Sequence, residues 1–461
     1  MTTSDKTNAL SIDELQALDR RHHIHPYTDP GALRTAPPFI MESAEGSYVQ
    51  GQNLRLLDMM AGLGCVNIGY GRQEMADVAA EAMKNLSYYH SFGAVTNPAA
   101  AELSKKIASL APGSLNKVFF ANSGSEAIET IGKLIRLYWR RKGKPNKNIF
   151  ISRDLSYHGS TMFAASLNGL PAMHHPFGLN QHEMVHYAAT PFWYRFGGNS
   201  DLEAFGLLAA QSIEDKILEV GADKVAAVFA EPIQGTLGGI IPPMSYWPAV
   251  EKICKKHNVL LVADEVLTGC GRTGHWFAQE TFGFQADVMA ISKGLSSGYQ
   301  PISAAVFSDE IAEVIENENL VLQHGFTTSA HPVSTAIALK NIEILERENL
   351  VERIKNDIGP KFGAALKTLE NHELVGEVRS CGLIAAIEIT QNKETREPFP
   401  VEVGIDQHIA NHIMMKGVIV RPAGNVLVLC PPYIISEAEI ALAVEAIQSG
   451  LDSVLALLKK G

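Results

Sequence analysis

The sequence contains few cysteines and no Cys-x-x-Cys pair, because its five cysteines are scattered over 461 residues. An odd and scattered set argues against a disulfide framework and favours reduced thiols, which predicts a cytoplasmic protein. Residues 1–10 are polar and lack the apolar core of a signal peptide. No apolar run approaches the roughly 18 residues that a membrane-spanning helix needs, so we expect no membrane span.

Basic residues are also scarce, with 39 Lys and Arg against 50 Asp and Glu and a net charge of −11. The chain has no basic block, which argues against nucleic acid or an anionic membrane surface as the main partner. Charged residues make up 19% and hydrophobic residues 46% of the chain, the composition of an ordinary folded enzyme. The length predicts one large domain and a smaller one.

Compact apolar runs alternate with helical segments from residue 98 to about residue 307. These runs, rich in β-branched residues and bounded by turn residues, lie at 117–121, 149–151, 225–230, 259–263, 288–292 and 304–307. They predict parallel strands covered by helices on both faces, which is a doubly wound, mostly parallel α/β sheet. Ligands of such sheets bind at the carboxyl ends of the strands.

After Pro332 the pattern changes to a long helix, a second helical stretch, short strand-like runs and a last amphipathic helix from Glu437 to Leu458. We interpret this part as a smaller α+β domain. The predicted division has an N-terminal segment, 1–60, that contributes to the small domain and the active site. A large α/β domain, 61–332, and the C-terminal small domain, 333–461, follow it.

Three of the predicted strands end in charged side chains, namely Glu231, Asp264 and Lys293. One such end could be a solvated turn, but three in series predict a shared cleft, because burying a lone charge is costly. A desolvated lysine amine can form a Schiff base. An aspartate one strand away can stabilise a protonated ring nitrogen.

A phosphate site is predicted where residues 122–126 connect a strand to a helix. Gly124 and Ser125 there would expose backbone N–H groups at the helix start, although Ser123 alone could be a plain N-cap. Tyr157 follows the next strand and adds an aromatic ring at the same edge. A phosphate cradle, an aromatic ring partner, a carboxylate and a lysine together are typical of a pyridoxal phosphate site.

Two other patterns suggest different sites and are disfavoured. Residues 269–274 fit G-x-G-x-x-G, but four residues separate them from the strand end at Glu265, and their continuation suits a packed helix poorly. A nicotinamide enzyme is therefore not predicted. Two histidine groups lack the spacing of metal ligands, so no metal is predicted. They comprise His22, His23 and His25, and His174, His175, His182 and His186.

At these residues the sequence resembles the class III aminotransferases, which are fold-type I pyridoxal phosphate enzymes. Within that family it is most similar to the ω-amine:pyruvate transaminases, from about His22 to the last helix. The most specific stretches are MAGL (60–63), NSGSE (122–126), YHGS (157–160), EPIQG (231–235), LVADEV (261–266) and SKGLSSGY (292–299).

The resemblance implies catalytic roles for three residues. Lys293 would hold the cofactor as a Schiff base and then move the proton between substrate and cofactor. Asp264 would pair with the ring nitrogen, and Tyr157 would stack on the ring, with Val266 on its opposite face. The implied cofactor site also includes Ser123, Gly124, Ser125, His158, Glu231, Phe326 and Thr327.

The resemblance further implies a shared active site. Gly124 and Ser125 would bind the phosphate from one subunit and Thr327 from the other, which would make the protein an obligate homodimer, with a tetramer as the larger alternative. Arg421 would hold the carboxylate of the keto acid. The implied substrate site consists of Tyr27, Leu63, Gly64, Phe92, Gly93 and Arg421.

Two positions depart from the subfamily. Gly64 stands where its members usually have tryptophan, and Gly93 where they usually have a second phenylalanine. Since aromatic side chains fill a large share of a small site, we expect a wider amine pocket than is usual in the subfamily. The amine preference of the subfamily is therefore not transferred to this chain. The cofactor residues are intact.

The sequence therefore predicts an aminotransferase that moves an amino group from a primary amine to a keto acid such as pyruvate, by a ping-pong mechanism. The alternative is another pyridoxal phosphate reaction on the same fold, by an aminomutase, a decarboxylase or an epimerase, because fold does not determine chemistry. A transaminase converts added pyruvate to alanine, whereas these other enzymes need no second substrate.

Overall fold

The computed structural model describes residues 10–179, 183–236, 238–317 and 321–460; residues 1–9 and His182 lie outside this part of the chain. A seven-stranded sheet forms its centre. From edge to edge, its strands are Leu115–Ala121, Ser303–Ser308, Val288–Ile291, Leu260–Asp264, Val225–Ala230, Ile149–Arg153 and Val185–Ala188. Ser303–Ser308 is antiparallel to both of its neighbours, and the other pairs are parallel. The predicted, mostly parallel sheet is confirmed.

Helices cover both faces of this sheet, as the doubly wound prediction requires. In the strand Val225–Ala230, Val228 and Ala230 belong to a core cluster that contains Trp247. The intervening Ala227 and Phe229 belong to a different cluster that contains Trp139. Because successive side chains of a strand point to opposite faces, the two clusters are the two covered faces of one sheet.

Helices connect the strands along the chain, and the last one, Glu437–Leu458, has the predicted bounds. Their starts are capped: Asn97 accepts a hydrogen bond from Ala100 N, and Ser123 accepts one from Glu126 N. The helices of five or more residues are Ile12–His22, Gln73–Leu86, Pro98–Leu110, Gly124–Arg141, Met162–Leu167, Leu202–Val220, Tyr246–Lys256, Ala278–Phe282, Asp309–Glu316, Pro332–Arg347, Gly359–Lys367, Ile405–Met415 and Glu437–Leu458.

Two further sheets have four strands each, and the first of them combines residues from both ends of the chain. The first consists of Ser43–Glu45, Tyr48–Gly51, Leu54–Asp58 and Val418–Ile419. The second consists of Val375–Cys381, Ile384–Ile389, Val426–Leu429 and Arg421–Pro422. The N-terminal segment thus pairs with a C-terminal strand. The domain boundaries at residues 60 and 332 stay predictions.

The helical stretch that begins at Leu350 is interrupted. Leu350–Arg353 is α-helical, Ile354–Ile358 is a π-helical turn, and Gly359–Lys367 is α-helical again. Pro360 lacks the N–H that an uninterrupted α-helix would use, so the backbone widens just before it.

One helix in the described part of the chain, Glu437–Leu458, is long and apolar enough to cross a membrane by length and composition alone. It packs against Ile405–Met415, and its Gly450 lies against Ile409 and Ile413. The core helix of a folded domain meets the same test.

The G-x-G-x-x-G stretch at 269–274 packs against the C-terminal part of the chain. Arg272 is fully buried and donates to Asn67 Oδ1 and to the carbonyl oxygens of Leu383 and Pro431. A side chain at Gly274 would overlap the backbone of Lys355. These glycines therefore permit close packing, and the short helix Ala278–Phe282 begins only four residues after the stretch.

Candidate active site

The charged residues at three adjacent strand ends line one cavity of about 180 Å³. Glu231 follows Val225–Ala230, Asp264 ends Leu260–Asp264, and Lys293 lies just beyond Val288–Ile291. The same cavity is lined by Gly124, Ser125, Tyr157, His158 and Val266. The structure thus brings together most of the residues expected to hold the cofactor.

Asp264 and His158 form a buried pair at the base of this cavity. His158 Nδ1 lies 2.7 Å from Asp264 Oδ2, and Val266 N donates to Asp264 Oδ1 at 3.1 Å. The exposed fractions are 4% for Asp264 and 3% for His158. Each carboxylate oxygen keeps a free lone pair, so Asp264 can accept a further hydrogen bond from a protonated ring nitrogen.

Two buried asparagines that the sequence analysis did not identify hold the Lys293 turn. Lys293 has φ +34°, a left-handed conformation that is rare outside glycine and is typical of constrained functional positions. A side chain at Gly294 would overlap Asn67 Nδ2. Asn341 Nδ2 donates to the carbonyl oxygens of Gly294 and Leu295, at 2.8 and 3.0 Å. Asn341 interrupts the apolar face of Pro332–Arg347, which is the signal that could have identified it.

The start of the helix Gly124–Arg141 has the properties of a phosphate cradle. Ser123 caps it by accepting from Glu126 N. In the described part of the chain, no hydrogen bond uses the N–H groups of Gly124 or Ser125. Ser125 Oγ accepts from Ser160 N at 3.0 Å. Free N–H groups at the positive end of an 18-residue helix favour a dianionic phosphate.

Glu231 is oriented by backbone N–H groups. Tyr157 N donates to its Oε1 at 3.0 Å and Gly235 N to its Oε2 at 3.3 Å. Burial raises the pKa of the Glu231 carboxyl. Burial also raises the pKa of the Tyr157 hydroxyl to about 12, so this hydroxyl stays protonated at neutral pH. Its oxygen lies 3.3 Å from Ser160 Oγ.

Three of the expected substrate residues lie at the same end of the sheet. Tyr27 OH approaches Tyr157 OH at 3.4 Å. The Arg421 guanidinium is near enough to lower the pKa of Tyr157, although burial outweighs it. Gly64 is buried, and a Cβ atom added to it would lie 2.5 Å from Leu267 Cδ1. Leu63, the next residue before it, is exposed.

Phe92, Gly93, Phe326 and Thr327 do not line the Lys293 cavity. Phe92 and Gly93 line a larger open cavity of about 810 Å³ together with residues 321–325. The Thr327 carbonyl accepts a hydrogen bond from Tyr88 OH at 2.8 Å. The structure therefore separates the expected site residues into two groups within one chain.

The histidines near the N-terminus are held by a residue absent from the sequence analysis, Asp19. His23 Nδ1 lies 2.9 Å from Asp19 Oδ1, and His25 Nε2 lies 2.5 Å from Asp19 Oδ2. In the part of the chain that the structure describes, these three are the one group of such residues close enough to hold a metal ion. The hydrogen bonds with Asp19 account for the positions of both rings without one.

The lysine, the buried carboxylate and the N–H cradle fit pyridoxal phosphate, and comparison with known proteins identifies the family. A family model for class III aminotransferases matches residues 31–451. The chain is 42% identical to a putrescine–pyruvate aminotransferase of Pseudomonas aeruginosa, covering 98% of this chain and 99% of that one. It is 38% identical to an (S)-enantioselective ω-transaminase of Thermomicrobium roseum, with a TM-score of 0.94 and coverage of 97% and 100%. A thermostable ω-transaminase with a tryptophan-to-glycine replacement, engineered for synthesis of bulky amines, gives 38% identity, a TM-score of 0.93 and coverage of 96% and 99%. The chain therefore belongs to the class III aminotransferases, a family of pyridoxal phosphate-dependent enzymes with the fold-type I architecture.

Proposed function

We propose that this aminotransferase moves an amino group from a primary amine to pyruvate. The observation that carries the proposal is the single cavity lined by Lys293, Asp264 and the free N–H groups of Gly124 and Ser125. The similarity to a putrescine–pyruvate aminotransferase and to ω-transaminases supports the choice of amine and acceptor.

Pyridoxal phosphate is the proposed cofactor. When bound, it supplies an aldehyde that captures amines and a ring that accepts electron density from the substrate carbon. The N–H groups of Gly124 and Ser125 would bind its phosphate, and Asp264 would hold a proton on its ring nitrogen. Tyr157 and Val266 would lie against opposite faces of the ring.

Lys293 would perform the proton transfer. Its amine would hold the aldehyde carbon of the cofactor until a substrate amine takes its place. The freed Nζ would then accept a proton from the amine-bearing carbon of the substrate and donate it to the former aldehyde carbon. A lysine on a constrained turn suits this task because its chain is flexible while its Cα is fixed.

The cofactor proposal predicts that borohydride reduction of the loaded enzyme attaches the pyridoxyl group to Lys293. Peptide mass mapping identifies the labelled lysine, and label on a different lysine contradicts the proposal. Lys293→Ala should abolish turnover even if it still binds the cofactor, because anchoring amine and proton carrier are both lost.

Arg421 is the proposed partner of the keto-acid carboxylate. A guanidinium can bind a carboxylate through two parallel hydrogen bonds. In the described part of the chain, the Arg421 side chain donates no hydrogen bond. Arg421 also lies near Tyr157, so its guanidinium is available to a ligand. A simple amine has no carboxylate, and the side chain would then have to turn away.

We further propose a homodimer whose active sites lie at the interface. Thr327 is exposed, and the neighbouring open cavity is bordered by the exposed apolar residues Phe92, Val321 and Leu322. A second copy that covered this cavity would bury them and bring Thr327 to its own phosphate cradle. The five free thiols support the proposal of a cytoplasmic location.

An amine panel assayed with pyruvate and with 2-oxoglutarate tests the proposed reaction. The panel contains putrescine, isopropylamine and an arylalkylamine, and alanine or glutamate is the measured product. Alanine formation that depends on both the amine and pyruvate supports the proposal. Amine consumption without any keto acid would indicate an aminomutase, a decarboxylase or an epimerase instead.

A further inference from the structure

Leu267 lies between two glycines beside the Lys293 cavity. A Cβ atom added to Gly64 would lie 2.5 Å from Leu267 Cδ1. A Cβ atom added to Gly235 would overlap Leu267 Cδ2. Each methyl group of this one leucine therefore occupies the space of one missing side chain. Leu267 also lines the cavity that contains Lys293.

The space next to Gly64 is thus filled, which differs from the expectation for a missing tryptophan. Gly93 provides the contrast, because a Cβ atom added there meets no atom of the described residues within 4 Å. Both glycines have left-handed backbones, with φ +72° at Gly64 and +63° at Gly93. A substitution would therefore strain the backbone at both positions, but only at position 64 would the new side chain meet Leu267.

Leu267 has little freedom to move away. The residues on both sides are anchored: Val266 N donates to Asp264 Oδ1, and Thr268 Oγ1 donates to the buried carboxyl of Glu265. The backbone at Leu267 is therefore fixed on both sides, which keeps its side chain beside Gly64 and Gly235.

We propose that Leu267 is a specificity-determining residue that limits the width of the amine pocket beside Gly64. The inference rests on the proposed amine:pyruvate activity. The Leu267 side chain, which follows the strand Leu260–Asp264, fills part of the volume that an aromatic side chain at position 64 would fill. The pocket is then narrower on the Gly64 side than the glycine at position 64 alone would make it.

The first test compares the parent with Leu267→Ala, using isopropylamine and α-propylbenzylamine as donors and pyruvate as acceptor. Removal of the two methyl groups and their carbon should raise the kcat/KM ratio of the bulky to the small amine by about tenfold or more, since one methylene in an apolar pocket changes discrimination by 10-fold to 200-fold. Leu267→Val, which is one carbon shorter, should shift the ratio in the same direction by less.

A double-mutant cycle tests the contact itself. Gly64→Ala should lower kcat/KM through both backbone strain and the clash with Leu267. Adding Leu267→Ala removes only the clash, so the loss caused by Gly64→Ala should shrink by about fivefold or more. Gly93→Ala is the matched control, because it introduces similar backbone strain without that neighbour, and its effect should be independent of position 267.

Three outcomes are distinguishable. If the ratio shifts and only position 64 couples to position 267, the inference holds. If the parent transfers amino groups to pyruvate but neither the ratio nor the cycle responds, the inference is wrong and the proposed function stands. If the parent forms no alanine from these two amines or from any other amine of the panel, the proposed function fails and the inference falls with it.

Discussion

Replacing Asp264 by asparagine should slow the amine half-reaction by about 100-fold or more while leaving the cofactor bound. The carboxylate is almost completely buried and is held by His158 and by Val266 N. At an effective dielectric constant of about 20 and a hydrogen-bonding separation of about 3 Å, two unit charges attract by roughly 5 kcal/mol. Only the part of this attraction that strengthens in the transition state, as charge develops on the ring, affects the rate. Losing one preorganised electrostatic partner raises the activation free energy by about 2.7–4 kcal/mol.

Asparagine is the informative replacement because it keeps the shape of the side chain and removes its charge. The amide oxygen can still accept from Val266 N, and the amide nitrogen, in place of the second carboxylate oxygen, can donate to His158 Nδ1 in the tautomer that leaves this nitrogen unprotonated. The phosphate cradle at Gly124 and Ser125 is unchanged, so the cofactor should still bind. The loss should therefore appear in the chemical step.

The assay follows the cofactor absorbance after excess amine is mixed with loaded enzyme in the absence of keto acid. Asp287→Asn is the control: Asp287 is a half-buried aspartate at the opposite, amino end of the strands, and it accepts from Leu261 N at 2.8 Å. Its half-reaction should stay within about threefold of the parent, as is usual for substitutions remote from the reacting atoms. A similarly small effect of Asp264→Asn at full cofactor occupancy would refute the electrostatic role.

The remaining predictions concern the acceptor, the assembly and the stability. Arg421→Ala should weaken the use of pyruvate and alanine by about tenfold or more relative to a carboxylate-free amine, because a bidentate pair is lost; equal losses for both would contradict the carboxylate role. Mixing Lys293→Ala subunits with Thr327→Ala subunits should restore some activity, because a hybrid dimer has one site with both lesions and one with neither; a mixture that stays inactive despite subunit exchange would assign Thr327 to its own subunit. Burial raises the pKa of Glu265 to about 7, so between its unfolded pKa of about 4.5 and pH 7 the folded state binds more protons than the unfolded state. Stability should therefore fall with rising pH across this window relative to Glu265→Gln, as measured by urea unfolding, and parallel pH profiles would contradict the assignment.

The strand ends that form the candidate site were predictable because they follow from a local pattern. A continuous apolar run that ends in a charged residue indicates a buried strand with its carboxyl end at a cleft. Glu231, Asp264 and Lys293 follow three such runs, and those runs are adjacent strands in the sheet. No long-range information was needed to expect them at one edge.

Other elements were missed where the local pattern is blurred. The helix Leu202–Val220 carries exposed leucines at 207, 208 and 218, which weaken its apolar periodicity. The edge strand Val185–Ala188 has only four residues, and its two central side chains are half-buried. Short edge strands and helices with apolar residues on their outer face give weak periodic signals, so tertiary packing decides them.

The pocket next to Gly64 shows why a site can be predicted more securely than its shape. A missing side chain leaves free space only if no other part of the chain occupies that space. Long-range packing determines which residue occupies it. At Gly64 that neighbour is Leu267, whose position follows from the anchored turn after Asp264 and from the missing side chain of Gly235. At Gly93 none of the described residues fills the space, so its free volume depends on what a second subunit places there. The same residue type therefore has two different consequences for substrate size, and the double-mutant cycle at positions 64, 93 and 267 measures the difference directly.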